Sequence, residues 1–202
     1  MRVTVAVLAF AAALAVPAYA ENAGGPASSS KAPNGQTGLS QQDKQFLEYA
    51  AQDNQAEIQT CLLAEKLAQA PAVKAFARLM VDDHVQIESQ LAATGSAESV
   101  NLPNGVGQEG QKTLSSLEPL NGPGFDREFL KDQIQDHSHD VQRYDHESHT
   151  SRNDTVLHYV KETLPILKQH LALAEAVQTS LQSGQPRAVA SGSGSPGPNG
   201  KE

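Results

Sequence analysis

QQDKQFLEYAAQDNQAEIQTCLLAEKLAQAPAVKAFARLMVDDHVQIESQL, residues 41–91, decides the fold. Its apolar positions recur by threes and fours, as one face of an α-helix requires. The first set is Leu47, Ala50, Asn54, Glu57, Cys61, Ala64 and Ala68. The second is Val73, Ala77, Met80, His84, Ile87 and Leu91, with Gly95 expected to end that helix. Pro71 suits the first position of a helix, where its missing N–H breaks no bond, so the break near Ala70 is sharp. Ser40-Gln41-Gln42-Asp43 is a capping-box variant that opens the first helix. A link this short makes the two helices an antiparallel hairpin.

The pattern returns after a Gly/Pro-rich stretch, residues 101–124, read as a long crossover with a short helix around 108–117. A third long helix is expected from about Asp126, with the seam Leu130, Ile134, His137, Val141 and Tyr144. Asn153-Asp154 marks a turn. The last seam is Val156, Val160, Thr163, Leu167, His170, Ala174, Val177 and Leu181, with a kink expected at Pro165. A faint internal repeat supports two similar hairpins: Phe46-Leu47 with Val73 matches Phe129-Leu130 with Val156. No strand-like alternation competes. The class is all-α: a ferritin-like four-helix bundle, two antiparallel hairpins joined by a long crossover.

Outward from the bundle, the ends change character. Residues 1–20 (MRVTVAVLAFAAALAVPAYA) have a positive start, a short apolar run and the small-x-small site Ala18-Tyr19-Ala20, which is the pattern of a secretory signal peptide. The apolar run is short for a membrane span, and no later segment offers one. Residues 21–39 and 184–202 are Gly/Ser/Pro-rich and read as a disordered linker and tail, leaving 40–183 as the helical domain. The formal charge is −8 and becomes one unit more negative when Arg2 is removed with the leader. An acidic exported chain is a poor partner for nucleic acid or anionic lipid, both of which need clustered Lys/Arg. The single cysteine excludes an intramolecular disulfide, and with no tryptophan the core must be built from Ala, Leu, Val and Ile.

Each of the four seams carries a residue able to bind metal: Glu57, His84, His137 and His170. A polar group on a core seam is costly unless it finds partners, so four such groups are expected to meet. Their depths agree. Glu57 and His84 lie thirteen and fourteen residues from Ala70, about 20 Å from the same turn at ~1.5 Å per residue. His137 and His170 lie fifteen and eighteen residues from Arg152, level to about one turn. Asn54, Asp140 and Tyr144 are expected nearby. Imidazole with carboxylate suits a single Zn, Fe, Mn or Cu ion. The same four side chains can instead form a polar layer that only hydrogen-bonds itself.

Two further groups carry ligand-type side chains. Cys61 and Met80 are level with each other, one turn nearer the first hairpin turn, and sulfur beside His84 would suit Cu(I); buried Cys and Met are also ordinary packing residues. His139 points away from His137, being two residues on, while Asp145, His146 and His149 read as a solvated surface face, with a surface metal patch as the alternative. No nucleotide-binding glycine loop or nucleophile elbow is present, and a Cys61 buried in an apolar helix is a poor nucleophile.

FLEYAAQDNQAEIQTCLLAEKLAQAPAVKAFARLMVDDHVQIESQL (46–91), FDREFLKDQIQDHSHDV (125–141) and VLHYVKETLPILKQHLALAE (156–175) resemble one bacterial family. It is domain-of-unknown-function family 4142, known as predicted outer membrane proteins and grouped with the ferritin-like folds. The resemblance covers residues 40–180 and rests on Asn54-x-x-Glu57, Phe76-Ala77 with Met80-Val81-x-Asp83-His84, Asp136-His137, and Leu164-Pro165 with His170. It implies an exported helical bundle of no established activity. The wider ferritin-like group implies carboxylate-bridged di-iron chemistry, built on Glu-x-x-His pairs. This chain departs from that pattern: Val81, Ile134 and Leu167 stand three residues before the three histidines. Ferroxidase or oxygenase activity is therefore not carried over. The sequence supports a periplasmic or outer-membrane-associated bundle with a His/Glu metal site; the alternative is a non-enzymatic structural or envelope-stress interaction protein with a purely structural polar layer. A redox enzyme is a third class, which would use an open coordination position beside Tyr144.

Overall fold

The computed structural model describes residues 38–184, so the leader, most of the linker and the tail beyond Gly184 lie outside the described residues. Among the described residues five helices follow in order: α1 (Gln41–Leu67), α2 (Pro71–Ala97), α3 (Gly107–Leu117), α4 (Gly122–Thr150) and α5 (Asp154–Ser183). The four long ones make the bundle. The α1–α2 and α4–α5 pairs are hairpins, α2 lies against α5, α1 lies against α4, and α3 in the crossover rests on α1 and α4.

Local chemistry sets the ends. Ser40 Oγ accepts from the Asp43 N–H at 3.0 Å, and Asp43 Oδ2 accepts from the Ser40 N–H at 3.0 Å, a reciprocal cap on α1. Ala70, before α2, has no capping side chain. Buried Asp126 of α4 stands in at that turn, accepting from the Gln69 and Ala70 N–H groups at 2.9 Å each. Asn153 Oδ1 caps α5 by accepting from the Val156 N–H at 2.9 Å.

Some expected boundaries shift. α2 passes through Gly95 to Ala97, and Gly95 serves close packing there instead of ending the helix: a Cβ on it would sit 2.8 Å from Leu102 Cδ1 of the crossover. α4 starts at Gly122, earlier than Asp126, since Pro123 falls in the first turn, where no N–H is needed. α5 is one helix with Pro165 inside it, as expected.

The core has two apolar halves. One gathers Cys61, Val73, Phe76, Met80, Leu117, Phe125 and Phe129 around the α1–α2 turn. The other gathers Phe46, Leu47, Ile87, Leu91, Tyr144, Val156, Tyr159 and Val160. Buried polar residues divide them: Asn54, Glu57, His84, Gln133, His137, Asp140, Thr163 and His170. Every α1 and α2 seam residue read from the sequence is buried. α4 is rotated slightly from its expected phase. Gln133 and Asp140 are buried, whereas Ile134 and Val141 are half-buried flanks. On α5, Ser180 takes the inward place and Leu181 is exposed.

Candidate metal centre

Three helices supply the centre. His84 comes from the middle of α2, His137 from α4 and His170 from α5. All three are buried, the most exposed at 2%. Their ring centroids lie 5.2 Å (His84–His170), 5.3 Å (His137–His170) and 5.7 Å (His84–His137) apart. One ring nitrogen of each lies within 4.8 Å of the other two.

The hydrogen bonds fix which nitrogen of each ring carries its proton. Asn54 Nδ2 donates to the His84 carbonyl at 3.1 Å and to the Glu88 carboxylate at 2.6 Å. That orients the amide, so Asn54 Oδ1, 2.8 Å from His84 Nδ1, is the acceptor and Nδ1 carries the hydrogen. His137 Nδ1 donates to the Gln133 carbonyl, one turn back, at 3.1 Å. His170 Nε2 donates to the Asp83 carboxylate at 2.9 Å. Each ring thus has one nitrogen bound outward and one bare lone pair. The bare atoms, His84 Nε2, His137 Nε2 and His170 Nδ1, are buried with no hydrogen-bond partner.

Three lone pairs cannot satisfy one another, because all are acceptors. Leaving a buried acceptor unsatisfied costs about 1–3 kcal/mol. Protonation is opposed as well. Burial first, and then the neighbouring imidazoles, hold His84 well below the usual histidine range. The same causes push His137 down to about 3. Burial lowers His170 too, although Asp83 pulls it back up. The rings are therefore neutral, the state in which imidazole ligates metal. Outward hydrogen bonds that orient metal-binding imidazoles are the usual support of such sites. The residues present fit a transition-metal ion.

Glu57 does not join the three histidines, contrary to the sequence expectation. Its Oε2 accepts from Gln133 Nε2 at 2.8 Å, so Gln133, on the α4 seam, takes the carboxylate before it can reach the rings. Asn54 does reach the centre, through His84 Nδ1. Asp140 is occupied by the Tyr49 hydroxyl at 2.7 Å, and the Tyr144 hydroxyl by that of Tyr159 at 2.9 Å. Met80 and Cys61 belong to the apolar half of the core, and burial raises the Cys61 thiol well above its usual range. His139, His146 and His149 are exposed. Among the described residues, the imidazole trio is the one group of three or more ligand-type side chains gathered this closely.

Sequence reading missed Gln133, Asp83 and Glu88. Gln133 had a signal, since it stands one turn before His137. Asp83 stood in the family motif Met80-Val81-x-Asp83-His84 without a role, and Glu88 had no signal, because their roles lie across the α2–α5 and α1–α2 interfaces.

A family model described as Domain of unknown function (DUF4142) matches residues 28–177. The chain belongs to that family. No curated protein matches this DUF4142 chain. A solved structure described as "CopM in the Cu(II)-bound form" is similar in fold, with a TM-score of 0.58 and 17% identity over 69% of this chain and 97% of that one. At that identity the likeness is one of fold alone.

Proposed function

We propose that this DUF4142 chain is an exported metal-binding bundle that holds one transition-metal ion on His84, His137 and His170. The observation that carries the reading is the set of three bare, buried imidazole lone pairs. A ligand set of neutral nitrogens suits copper or zinc, with iron behind them; manganese prefers carboxylate. Copper stands first. It heads the order of divalent-metal affinity, and the fold neighbour was solved with Cu(II) bound. With the rings almost wholly buried, holding a metal fits better than turning over a substrate. Export rests on the signal-like residues 1–20. No helix of the described residues is long and apolar enough to cross a membrane.

The test is elemental analysis of untagged protein, followed by thermal melting of the apo form with Cu, Zn, Fe or Mn added in turn. Metal that binds only the folded state adds about 2.7 kcal/mol at a hundredfold excess over the dissociation constant. His84→Ala removes the increment, and the exposed-site variant His149→Ala keeps it. If no metal raises the melting temperature at neutral pH, the trio is a structural polar layer. Export is checked separately by N-terminal sequencing, with Glu21 expected as the first residue.

A further inference from the structure

Between α1, α3 and α4 lies a half-open cavity of about 580 Å³. Its wall carries Asp53, Glu57, Glu109, Asp132 and Asp136, and no lysine or arginine. Cations stand outside the wall: Lys112 pairs with Glu109 at 2.7 Å, Lys131 acts on Asp132, and Arg143 stacks 3.8 Å over the Tyr49 ring. Burial, and then neighbouring carboxylates, push Asp132 up to about 6 and Asp53 and Glu57 well above the usual carboxylate range, so these acids crowd one another with no cation on the wall between them. Thr60 lines the same cavity; it is 2% exposed, and its hydroxyl has no hydrogen-bond partner among the described residues. A cavity with several carboxylates, a free hydroxyl and no internal cation is suited to a positively charged guest.

None of the three histidines lines the cavity, but its wall is linked to the centre through Glu57. Glu57 lines the cavity yet is itself buried. Its carboxylate holds the Gln133 side chain, and the Gln133 carbonyl holds His137 Nδ1. One residue thus separates the cavity wall from a proposed ligand. The carboxylates do not form a tight site of their own, since no three of them gather as closely as the imidazoles do. Acids spread around a chamber attract a hydrated cation without trapping it.

We infer that the acidic cavity is the way by which a metal cation reaches the histidine trio, its carboxylates gathering the hydrated ion and Glu57 standing at the inner threshold. This rests on the metal-centre reading above. Clefts lined by one sign of charge raise the local concentration of counter-ions and speed association by about 10–10³-fold, an effect that salt suppresses. The opposite face offers a rival path, where half-exposed Asp83 meets His170.

Stopped-flow loading of the apo protein with cobalt(II), read by its visible absorption, separates the two. The double variant Asp53→Asn/Asp132→Asn is expected to load about tenfold more slowly at low salt, with its salt dependence flattened and the final stoichiometry unchanged. Glu109→Lys, an exposed reversal on α3 that does not threaten folding, is expected to slow loading in the same way. Wild-type rates and salt dependence in both variants would overturn the route and leave the centre standing. If wild-type protein takes up no cobalt(II), both readings fall.

Discussion

The half-exposed carboxylate of Asp83 and the buried imidazole of His170 are joined by a 2.9 Å hydrogen bond across the α2–α5 interface. The bond commits His170 Nε2 outward and leaves Nδ1 bare inside. It also holds the ring at one angle. Asp83→Ala is therefore expected to weaken metal binding by about 10–100-fold while the bundle still folds. Asp83→Asn keeps an acceptor oxygen and is expected to lose less. Competition against a coloured chelator measures both; equal affinity in wild type and Asp83→Ala would remove Asp83 from any positioning role.

The depressed histidines give the apo protein an acid-sensitive component. An unfolded histidine titrates near 6.5, whereas burial holds His137 at about 3 in the folded state. Between those values the unfolded chain binds the proton and the folded chain does not, so this contribution to stability falls as pH drops through that window. Metal affinity should fall over the same range, since protons compete for the same lone pairs. His137→Gln is expected to flatten the pH dependence of the apo melting temperature below about 6.5. An unchanged profile would mean that His137 does not titrate as its burial requires.

Asp132 gives the opposite slope. Its folded carboxyl is raised to about 6 from an unfolded value of 3.8, so the folded state holds a proton that the unfolded state has lost. That contribution is full below 3.8 and is lost as pH rises through about 6. At pH 8 the charge is a burden. Asp132→Asn should then stabilise the protein by on the order of 1 kcal/mol, after discounting for solvent screening, with the gain shrinking towards pH 4. Melting curves of the variant at the two pH values decide this; a gain that is larger at pH 4 contradicts the assignment.

Asp126 staples one hairpin to the other by capping the turn between α1 and α2 from α4. Asp126→Ala leaves two backbone N–H groups without their acceptor and should cost about 1–3 kcal/mol. Urea denaturation measures the loss. Metal affinity should be unaffected, because Asp126 is far along α4 from His137.

What lay in the sequence was local. A helix repeats every 3.6 residues, so three- and four-residue steps in apolar positions gave the four long helices, and Pro71 and Asn153 gave the turns. Matching residue counts from those turns placed His84, His137 and His170 at similar depth, because rise per residue is nearly constant. The phase of α4 was harder to read. Its buried positions include Gln133 and Asp140, and a rule that looks for apolar residues chose Ile134 and Val141 beside them.

Tertiary structure decided everything that depends on competition between partners. Glu57 was level with the histidines by count, but Gln133 from a facing helix claims its carboxylate. Asp83 and Asn54 settle which ring nitrogens point inward, and neither choice is encoded by spacing along one chain segment. The acidic cavity exists only because α3 folds across α1 and α4, bringing Glu109 beside residues from two other helices. Periodicity fixes which face of a helix is buried; which atoms meet on that face depends on the other helices packed against it.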